Sequence, residues 1–240
     1  MQLSYLSENN LKQFITLAFQ EDVGDGDHST LASVPQDAFE SAKVLFKDDG
    51  IAAGMELAKS IFDHFDPRVE LKFNVKDGDK ISKGEIGIEI QGPAQSILTC
   101  ERLLLNCMQR MSGIATYTCS LNHLVSDTKA KLLDTRKTTP NFRIAEKWAV
   151  AIGGGTNHRY GLFDMIMLKD NHIDFAGGIT QAVKSTKAYL NEQGKDLRIE
   201  VETRNLEEVK EALDASVDVI MLDNMSLNTM KEAVRLIGDT

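Results

Sequence analysis

The sequence predicts a mixed α/β protein in which a partial (β/α) barrel follows a smaller α/β domain. Two patterns support this prediction. Before residue 110, short β-like runs lie between amphipathic helices. After residue 130, short apolar runs that end in charge alternate with helical segments, which is typical of parallel βαβ units. The 240 residues allow two domains, which we place at 1–110 and 111–240.

Composition and charge exclude several classes of partner. The formal net charge is −9, and an acidic protein is repelled by nucleic acid and by anionic membranes. The N-terminus lacks the apolar core of a signal peptide, and no apolar run reaches the ~18 residues of a membrane span. Cys100, Cys107 and Cys119 lack metal-binding spacing, which indicates reduced thiols in a cytoplasmic protein.

The first domain is predicted to combine helices with short strands. Apolar residues at helical spacing predict helices at 9–20 and 55–65. The runs SAKVLF, VELKFNV and IGIEI predict strands, and the Asp-Gly of VKDGDKISKGE predicts a hairpin. The acidic run at 21–30 is interpreted as a solvated loop, and cation binding is the less favoured alternative.

Residues 94–112 predict a helix that is apolar around most of its circumference and therefore mostly buried. One narrow polar strip is formed by Thr99, Arg102, Asn106, Gln109 and Arg110, and Glu101 is the charged exception outside it. This strip is expected to face water, a cleft or a partner subunit. From periodicity alone, solvent and a functional contact are equally favoured for Arg102.

The second domain shows four short apolar runs that end in charge, namely KLLD, MIMLKD, IEVE and VDVIMLD. The helical segments between them are PNFRIAEKWAVA, GGITQAVKSTKAYLNEQG and NLEEVKEALDA. About five strands can be placed after residue 110, whereas a full barrel has eight. Charged residues at strand carboxyl ends are what a barrel places at its active mouth, so four in succession favour a site over simple strand endings.

Cations concentrate between residues 134 and 172 of this acidic chain. Arginine binds carboxylates bidentately, and lysine adds a compact charge. Because mutual repulsion makes such a group costly without an anion, we expect a pocket for an anionic small molecule, and a ligand with two carboxylates would use several of these cations. The candidates are Arg136, Lys137, Arg159 and Lys169, with His158 beside the glycines of GGGTNHRYG. A flexible linker is the alternative explanation of these glycines.

Glu202 and Asp223 end two successive predicted strands. They could share a Mg²⁺ ion, hold sugar hydroxyls or stabilise a developing cation. Solvated strand-end acids are an equally favoured alternative at this point. Glu200 shares the face of Glu202 because side chains alternate along a strand.

Together, several motifs resemble the quinolinate phosphoribosyltransferases, also called nicotinate-nucleotide pyrophosphorylases (carboxylating). The matching motifs are ERLLLN (101–106), SGIAT (112–116), DTRKTTP (134–140), GGGTNHRYGL (153–162), KDNHI (169–173), EVET (200–203) and MLDN (221–224). The similarity covers essentially the whole chain. It implies an open α/β sandwich domain followed by an incomplete barrel of the type II phosphoribosyltransferase class. The last segment of the barrel could pack with the sandwich domain instead of with the barrel.

The resemblance also implies a reaction. Quinolinate and 5-phosphoribosyl-1-pyrophosphate would give nicotinate mononucleotide, pyrophosphate and CO₂, with Mg²⁺, in NAD biosynthesis.

The resemblance further implies that the protein is a homodimer whose sites are completed across the interface. The carboxylates of quinolinate would be bound by Arg136, His158, Arg159, Lys169 and, from the neighbouring subunit, Arg102. Lys137 would contact the phosphoribosyl pyrophosphate, while Glu202 and Asp223 would hold its ribose hydroxyls and Mg²⁺. Catalysis is assigned to Lys137, Glu202 and Asp223.

The sequence departs from the family's pattern at its C-terminus. Family members continue into a Ser-Gly-Gly loop and a later glycine loop that cradle the 5-phosphate, and neither lies before Thr240. We therefore interpret the barrel as C-terminally truncated, with activity of the 240-residue form left open. The alternatives are a ModD-like paralogue with another substrate and a truncated, inactive homologue that binds a dicarboxylate.

Overall fold

The structure is a computed structural model that describes residues 3–238. It divides into two compact units, with the division between His158 and Arg159, and each unit is described by itself. The outer ends of the two predicted domains, at residues 1 and 240, lie outside the described residues. Residues 110 and 111 are consecutive residues of one helix, and the boundary placed there stays a prediction.

The first unit combines helices with short strands, as the sequence predicts. In chain order its elements are α1 Glu8–Asp22, α2 His28–Ser33, β1 Phe39–Leu45, β2 Gly50–Ile51, α3 Met55–Phe65, β3 Glu70–Phe73, β4 Lys80–Ile81, β5 Ile86–Pro93, α4 Ala94–Leu124 and α5 Arg143–Ile152. The helices predicted at 9–20 and 55–65 are confirmed as α1 and α3. The helix predicted at 94–112 is confirmed but continues to Leu124.

The strands VELKFNV and IGIEI, which the predicted hairpin connects, do pair antiparallel as β3 and β5, but the tight turn predicted at the Asp-Gly pair is wrong. The strands on either side of it, β3 and β4, pair antiparallel with β5 and β2 respectively, not with each other. The carboxylate of Asp77 instead accepts hydrogen bonds from the backbone N–H groups of Gly54, Met55 and Glu56, at 2.6, 2.9 and 3.2 Å. These are donors at the start of α3 that lack intrahelical partners, so this turn is used to cap a helix.

Helix α4 runs through the core of the first unit. Its buried face includes Cys100, Leu104, Cys107, Met108 and Met111, and it packs against α3, α5 and β2. The predicted polar strip is exposed at Arg102, Asn106, Gln109 and Arg110 and half-buried at Thr99. The hydrophobic periodicity therefore identified both faces of this helix.

The strand predicted at KLLD is also wrong. Leu133 makes only an isolated parallel bridge with Thr156. The Thr156 N–H donates to the Leu132 carbonyl at 2.8 Å, and the Asp134 N–H donates to the Thr156 carbonyl at 3.2 Å. These two bonds bring DTRKTTP beside TNHR, although neither segment forms a regular strand.

The second unit contains a three-stranded parallel sheet. Its elements are β6 Ile166–Leu168, α6 Asp170–Ala176, α7 Ile179–Glu192, β7 Ile199–Thr203, α8 Leu206–Asp214, β8 Val219–Leu222 and α9 Leu227–Ile237. The strand order is β6-β7-β8, with both pairs parallel, which confirms the predicted βαβ pattern. Its core is formed by buried apolar residues of the sheet and of α6, α7 and α8. Within residues 3–238, no helix is both long and apolar enough to cross a membrane.

Candidate active site

Arg143 and Glu146 of helix α5 hold the segment DTRKTTP at three points. The Arg143 guanidinium donates to Thr138 Oγ1 at 2.9 Å and to the Arg136 carbonyl at 3.4 Å. Glu146 accepts from the backbone N–H and the hydroxyl of Thr139, at 3.0 and 2.9 Å. One turn of charged residues thus fixes a segment that has no regular secondary structure of its own.

Arg136 presents an unsatisfied donor. Its side chain is half-buried, and its Nε is the one buried side-chain nitrogen or oxygen in residues 3–238 that has no hydrogen-bond partner. A buried polar atom without a partner costs free energy, and an arginine donor is suited to a carboxylate or phosphate oxygen. The neighbouring Lys137 is exposed, with its backbone N–H donated to Thr135 Oγ1 at 3.0 Å.

The backbone of His158 is fixed on both sides. Its N–H donates to Asp134 Oδ1 at 2.8 Å, and its carbonyl accepts from Lys147 Nζ at 3.0 Å. The glycine run before it is not a flexible linker, because a Cβ on Gly153 would lie 2.5 Å from the Ala115 carbonyl oxygen. A Cβ on Gly155 would likewise lie 2.9 Å from Thr118 Cγ2, so the glycines allow this run to pack closely on helix α4.

Arg102 lies on the exposed strip of α4. Further along the same strip, the Arg110 guanidinium donates to Glu146 Oε1 at 2.9 and 3.2 Å. Glu146 is buried and also holds Thr139, so this carboxylate joins α4 to the segment DTRKTTP. Arg110 therefore acts within the first unit, and Arg102 is available for a contact outside it.

In the second unit, Lys169 and Glu202 meet at the carboxyl end of the parallel sheet. Lys169 Nζ lies 3.3 Å from Glu202 Oε2. Met167 pairs with Glu200 in the register, so Lys169, two residues on, comes opposite Glu202 on the same face. Glu202 is mostly buried, with 16% of its side chain exposed, whereas Lys169 is 46% exposed. A half-exposed cation beside a sheltered carboxylate is open to a ligand.

Asp223 lies on the same face of the sheet as Glu202. Glu202 pairs with Met221, and Asp223 follows two residues later, with its N–H donated to the Thr203 carbonyl at 2.9 Å. Its carboxylate accepts from the Asn224 amide at 3.0 Å. The strand-end acids and Lys169 therefore share one edge and one face, as the alternation of strands and helices predicts.

Arg159 is half-buried and donates to the Met165 carbonyl at 3.4 Å. It lines an open cavity of about 400 Å³ in the second unit, together with Met167 and His172. The ring of His172 accepts the backbone N–H of Lys169 at 3.0 Å. This bond fixes the start of α6 and, with it, the backbone from which Lys169 extends.

Another cation near the same edge is structural. Arg204 pairs with Glu208 and Asp174 at 2.7 and 3.1 Å. Hydrogen bonds from Glu208 first, and then from Asp174, raise the pKa of this guanidinium above its usual value. Arg204 thus connects α6 to α8.

The fit of the acids to Mg²⁺ follows from their number and chemistry. No group of three or more His, Cys, Asp or Glu side chains in residues 3–238 is arranged to hold a metal. Glu202 and Asp223 provide two carboxylates, which suit a Mg²⁺ ion that takes its other ligands from water and substrate phosphates. They fit such a shared site and not a cage made by protein alone.

The residues that support the candidate site were not predicted from the sequence. Asp134, Lys147 and Asn157 form a buried polar cluster behind His158. The sequence carries no signal for Lys147, which at helical spacing shares a polar strip with Arg143 and Glu146, yet the structure buries it in α5. A lysine in such a position needs a buried partner.

The fold and these segments define an α/β protein with a candidate site for an anionic small molecule. Family models make the assignment specific. The model of the quinolinate phosphoribosyl transferase N-terminal domain matches residues 27–112, and the model of its C-terminal domain matches residues 114–240. The chain belongs to the quinolinate phosphoribosyl transferase family.

Individual relatives agree with this assignment. The chain is 48% identical to the chloroplastic nicotinate-nucleotide pyrophosphorylase [carboxylating] of Arabidopsis thaliana, over 95% of this chain and 70% of the relative. It is 42% identical to the probable nicotinate-nucleotide pyrophosphorylase of Bacillus subtilis, over 94% and 77%. The crystal structure of NadC from Streptococcus pyogenes is similar with a TM-score of 0.88 and 40% identity, over 97% of this chain and 81% of that one.

Proposed function

We propose that this chain transfers the phosphoribosyl group of 5-phosphoribosyl-1-pyrophosphate to quinolinate and removes one carboxylate. The products are nicotinate mononucleotide, pyrophosphate and CO₂, which places the reaction in NAD biosynthesis. Membership of the family supports the proposal, as do the cations and acids in the motifs that carry the resemblance. The reaction matches the activity in the names of the Arabidopsis and Bacillus relatives.

The observation that carries the proposal is the unpartnered Nε of Arg136. Quinolinate is a planar dicarboxylate, and a guanidinium offers parallel donors to a carboxylate. A carboxylate oxygen on Arg136 would satisfy a donor that no group in residues 3–238 satisfies. We assign His158, Arg159 and Lys169 to the same ligand, and Lys137 to the phosphoribosyl pyrophosphate.

The chemistry needs charge and position more than a nucleophilic side chain. The ring nitrogen of quinolinate forms a bond to the anomeric carbon as the bond to pyrophosphate breaks. Positive charge develops on the sugar during this step, and the carboxylates of Glu202 and Asp223 would stabilise it. The alkylated ring nitrogen then accepts the electron pair released when CO₂ leaves C2, and a proton replaces CO₂ at that carbon.

Mg²⁺, when bound with Glu202 and Asp223, would neutralise the charge that develops on the leaving pyrophosphate. The carboxylates themselves would orient the ribose hydroxyls. Lys169 would help to keep Glu202 in place through their contact at 3.3 Å.

Two further parts of the proposal concern assembly and location. We propose a homodimer in which Arg102 reaches the quinolinate of the partner subunit, and the exposure of Arg102 on the polar strip of α4 supports this. We also propose a cytoplasmic location. Its support is that Cys100, Cys107 and Cys119 are all free thiols, which suits a reducing compartment.

The test is a turnover assay on the 240-residue chain with quinolinate, phosphoribosyl pyrophosphate and Mg²⁺. Nicotinate mononucleotide should form, and nicotinate should not replace quinolinate as substrate because it lacks the second carboxylate. Quinolinate binding by calorimetry without any product would instead favour a binding protein. Product formed from nicotinate at the same rate would show that the second carboxylate of quinolinate is not needed for recognition.

A further inference from the structure

A buried ion pair lies directly behind His158. Lys147 Nζ is 2.5 Å from Asp134 Oδ1, and the two side chains are 1% and 8% exposed. Removing two charges from water is costly, and such a pair can often be replaced by neutral groups without loss of stability. Its presence therefore calls for a reason other than stability.

The other hydrogen bonds of the pair point to that reason. Lys147 Nζ donates to the His158 carbonyl at 3.0 Å, and Asp134 Oδ1 accepts the His158 N–H at 2.8 Å. The pair thus holds both peptide groups that flank the Cα of His158. Fixing both groups fixes the direction in which the imidazole leaves the backbone.

Asn157 completes the cluster. Its amide nitrogen donates to Asp134 Oδ2 at 2.7 Å and to the Lys147 carbonyl at 2.8 Å. Its amide oxygen accepts the Tyr5 hydroxyl at 2.6 Å, and the Tyr5 carbonyl in turn accepts from the Asn10 amide at 3.0 Å. The hydrogen bonds of α1 and the segment before it therefore reach the residue next to His158.

We propose that Lys147 and Asp134, with Asn157 and Tyr5 behind them, are positioning residues that hold His158 in its quinolinate-binding orientation. None of them needs to touch substrate. The proposal rests on the proposed function, because it assigns His158 to quinolinate. It predicts that loss of the ion pair weakens quinolinate binding more than phosphoribosyl pyrophosphate binding. The backbone of Lys137, which is assigned to phosphoribosyl pyrophosphate, is held by Thr135 independently of the pair. The two threonines that follow are held by Arg143 and Glu146.

The test uses the full chain with the double substitution Lys147→Met and Asp134→Asn. Both buried charges are removed together at similar volume, so the fold should survive. Calorimetry should show quinolinate Kd raised roughly tenfold, with the Kd of phosphoribosyl pyrophosphate in Mg²⁺ changed less than about twofold. Tyr5→Phe removes a single hydroxyl and should raise quinolinate Kd about threefold.

A matched control removes a carboxylate–cation pair elsewhere in the first unit. Asp66 and Arg68 are 2.7 Å apart and touch neither substrate segment. The double substitution Asp66→Asn and Arg68→Met should lower the thermal midpoint without changing either Kd. The positioning role would be overturned if the test variant bound both ligands more weakly by the same factor. It would also be overturned if quinolinate binding were unchanged in both the test variant and Tyr5→Phe.

A second readout separates this proposal from the proposed function. Without ligand, the backbone amide of His158 should exchange with solvent roughly tenfold faster in the test variant than in the unsubstituted chain. If the unsubstituted chain binds no quinolinate, the proposed function fails. Faster exchange at His158 in the test variant would then still show that the ion pair fixes the backbone of His158. Unchanged exchange would contradict that part of the proposal as well.

Discussion

Lys169 Nζ and Glu202 Oε2 lie 3.3 Å apart at the carboxyl ends of adjacent parallel strands. Such a half-exposed pair contributes little to stability, about 0–1 kcal/mol. In the proposed reaction both partners act on ligands, the lysine on a carboxylate of quinolinate and the glutamate on the ribose. This contact therefore places two oppositely charged groups side by side, with each group assigned to its own substrate in the proposed reaction.

Glu202→Gln should separate these roles. The amide keeps the volume but removes the charge that stabilises the sugar cation, so kcat should fall roughly tenfold or more. The thermal midpoint should hardly change because the ion pair is partly exposed. Glu207→Gln, at an exposed site in α8, is the matched control and should behave as the unsubstituted chain. Normal turnover by the Glu202 variant would remove this carboxylate from catalysis.

Two glycine substitutions should shift stability in opposite directions. Gly113 lies within α4, and a Cβ there would meet nothing within 4 Å, so Gly113→Ala should stabilise by about 0.5–1 kcal/mol. Gly153→Ala would place a Cβ 2.5 Å from the Ala115 carbonyl oxygen and should destabilise by about 1–3 kcal/mol. Urea unfolding measures both. Similar midpoints for the two variants would contradict the close packing of Gly153 on α4.

Asp66 should contribute pH-dependent stability. Hydrogen bonds from Arg68 hold the pKa of its carboxyl well below the usual 3.8, and Ser96 acts in the same direction, while burial opposes them. The unfolded chain thus binds a proton at a higher pH than the folded one. The stabilisation is complete above about pH 4 and is lost as pH falls below that value.

The corresponding test compares Asp66→Asn with the unsubstituted chain by urea unfolding. At about pH 7 the substitution should cost about 1–3 kcal/mol, because a buried carboxylate that accepts charge-assisted bonds is lost. The difference should shrink between about pH 4 and pH 2. A difference that stays constant over this range would show that ionisation of Asp66 plays no part.

The three cysteines should differ in reactivity. Burial in α4 raises the pKa of both Cys100 and Cys107 to about 12, so neither forms a thiolate near neutral pH. Cys119 is only half-buried. A thiol reagent at about pH 8 should label Cys119 alone in the folded protein and all three cysteines in urea. Labelling of Cys100 or Cys107 at the rate of Cys119 would contradict the packing of this helix.

Regular elements with a clear period were predictable from the sequence. The helix at 55–65 was predicted with both of its ends, because its apolar face repeats and Gly54 precedes it. The parallel strands of the second unit were predictable because each apolar run ends in charge. The extension of α4 beyond residue 112 was not, since Gly113 and the threonines after it are weak helix formers and packing against α5 overrides that preference.

The errors and omissions share one physical cause. The Asp-Gly turn was read locally as a hairpin, yet Asp77 is used by backbone groups more than twenty residues away. Likewise, the motifs single out Arg136 and His158 as candidates, but the contacts that hold them could not be predicted. Lys147 contacts the backbone of His158 in a cluster where the Asp134 carboxylate, from another segment, binds both residues. Sequence spacing does not predict such a tertiary contact.

The most direct test of the central claim follows carbon from quinolinate labelled in its 2-carboxylate. With phosphoribosyl pyrophosphate and Mg²⁺, the chain should release labelled CO₂ and form nicotinate mononucleotide in equal amounts, and without phosphoribosyl pyrophosphate it should release none. Arg136→Ala should reduce quinolinate affinity roughly tenfold or more, since a charge-assisted contact is worth ~1.5–3 kcal/mol. Labelled CO₂ released without nicotinate mononucleotide, or quinolinate bound by Arg136→Ala with unchanged affinity, would contradict the account.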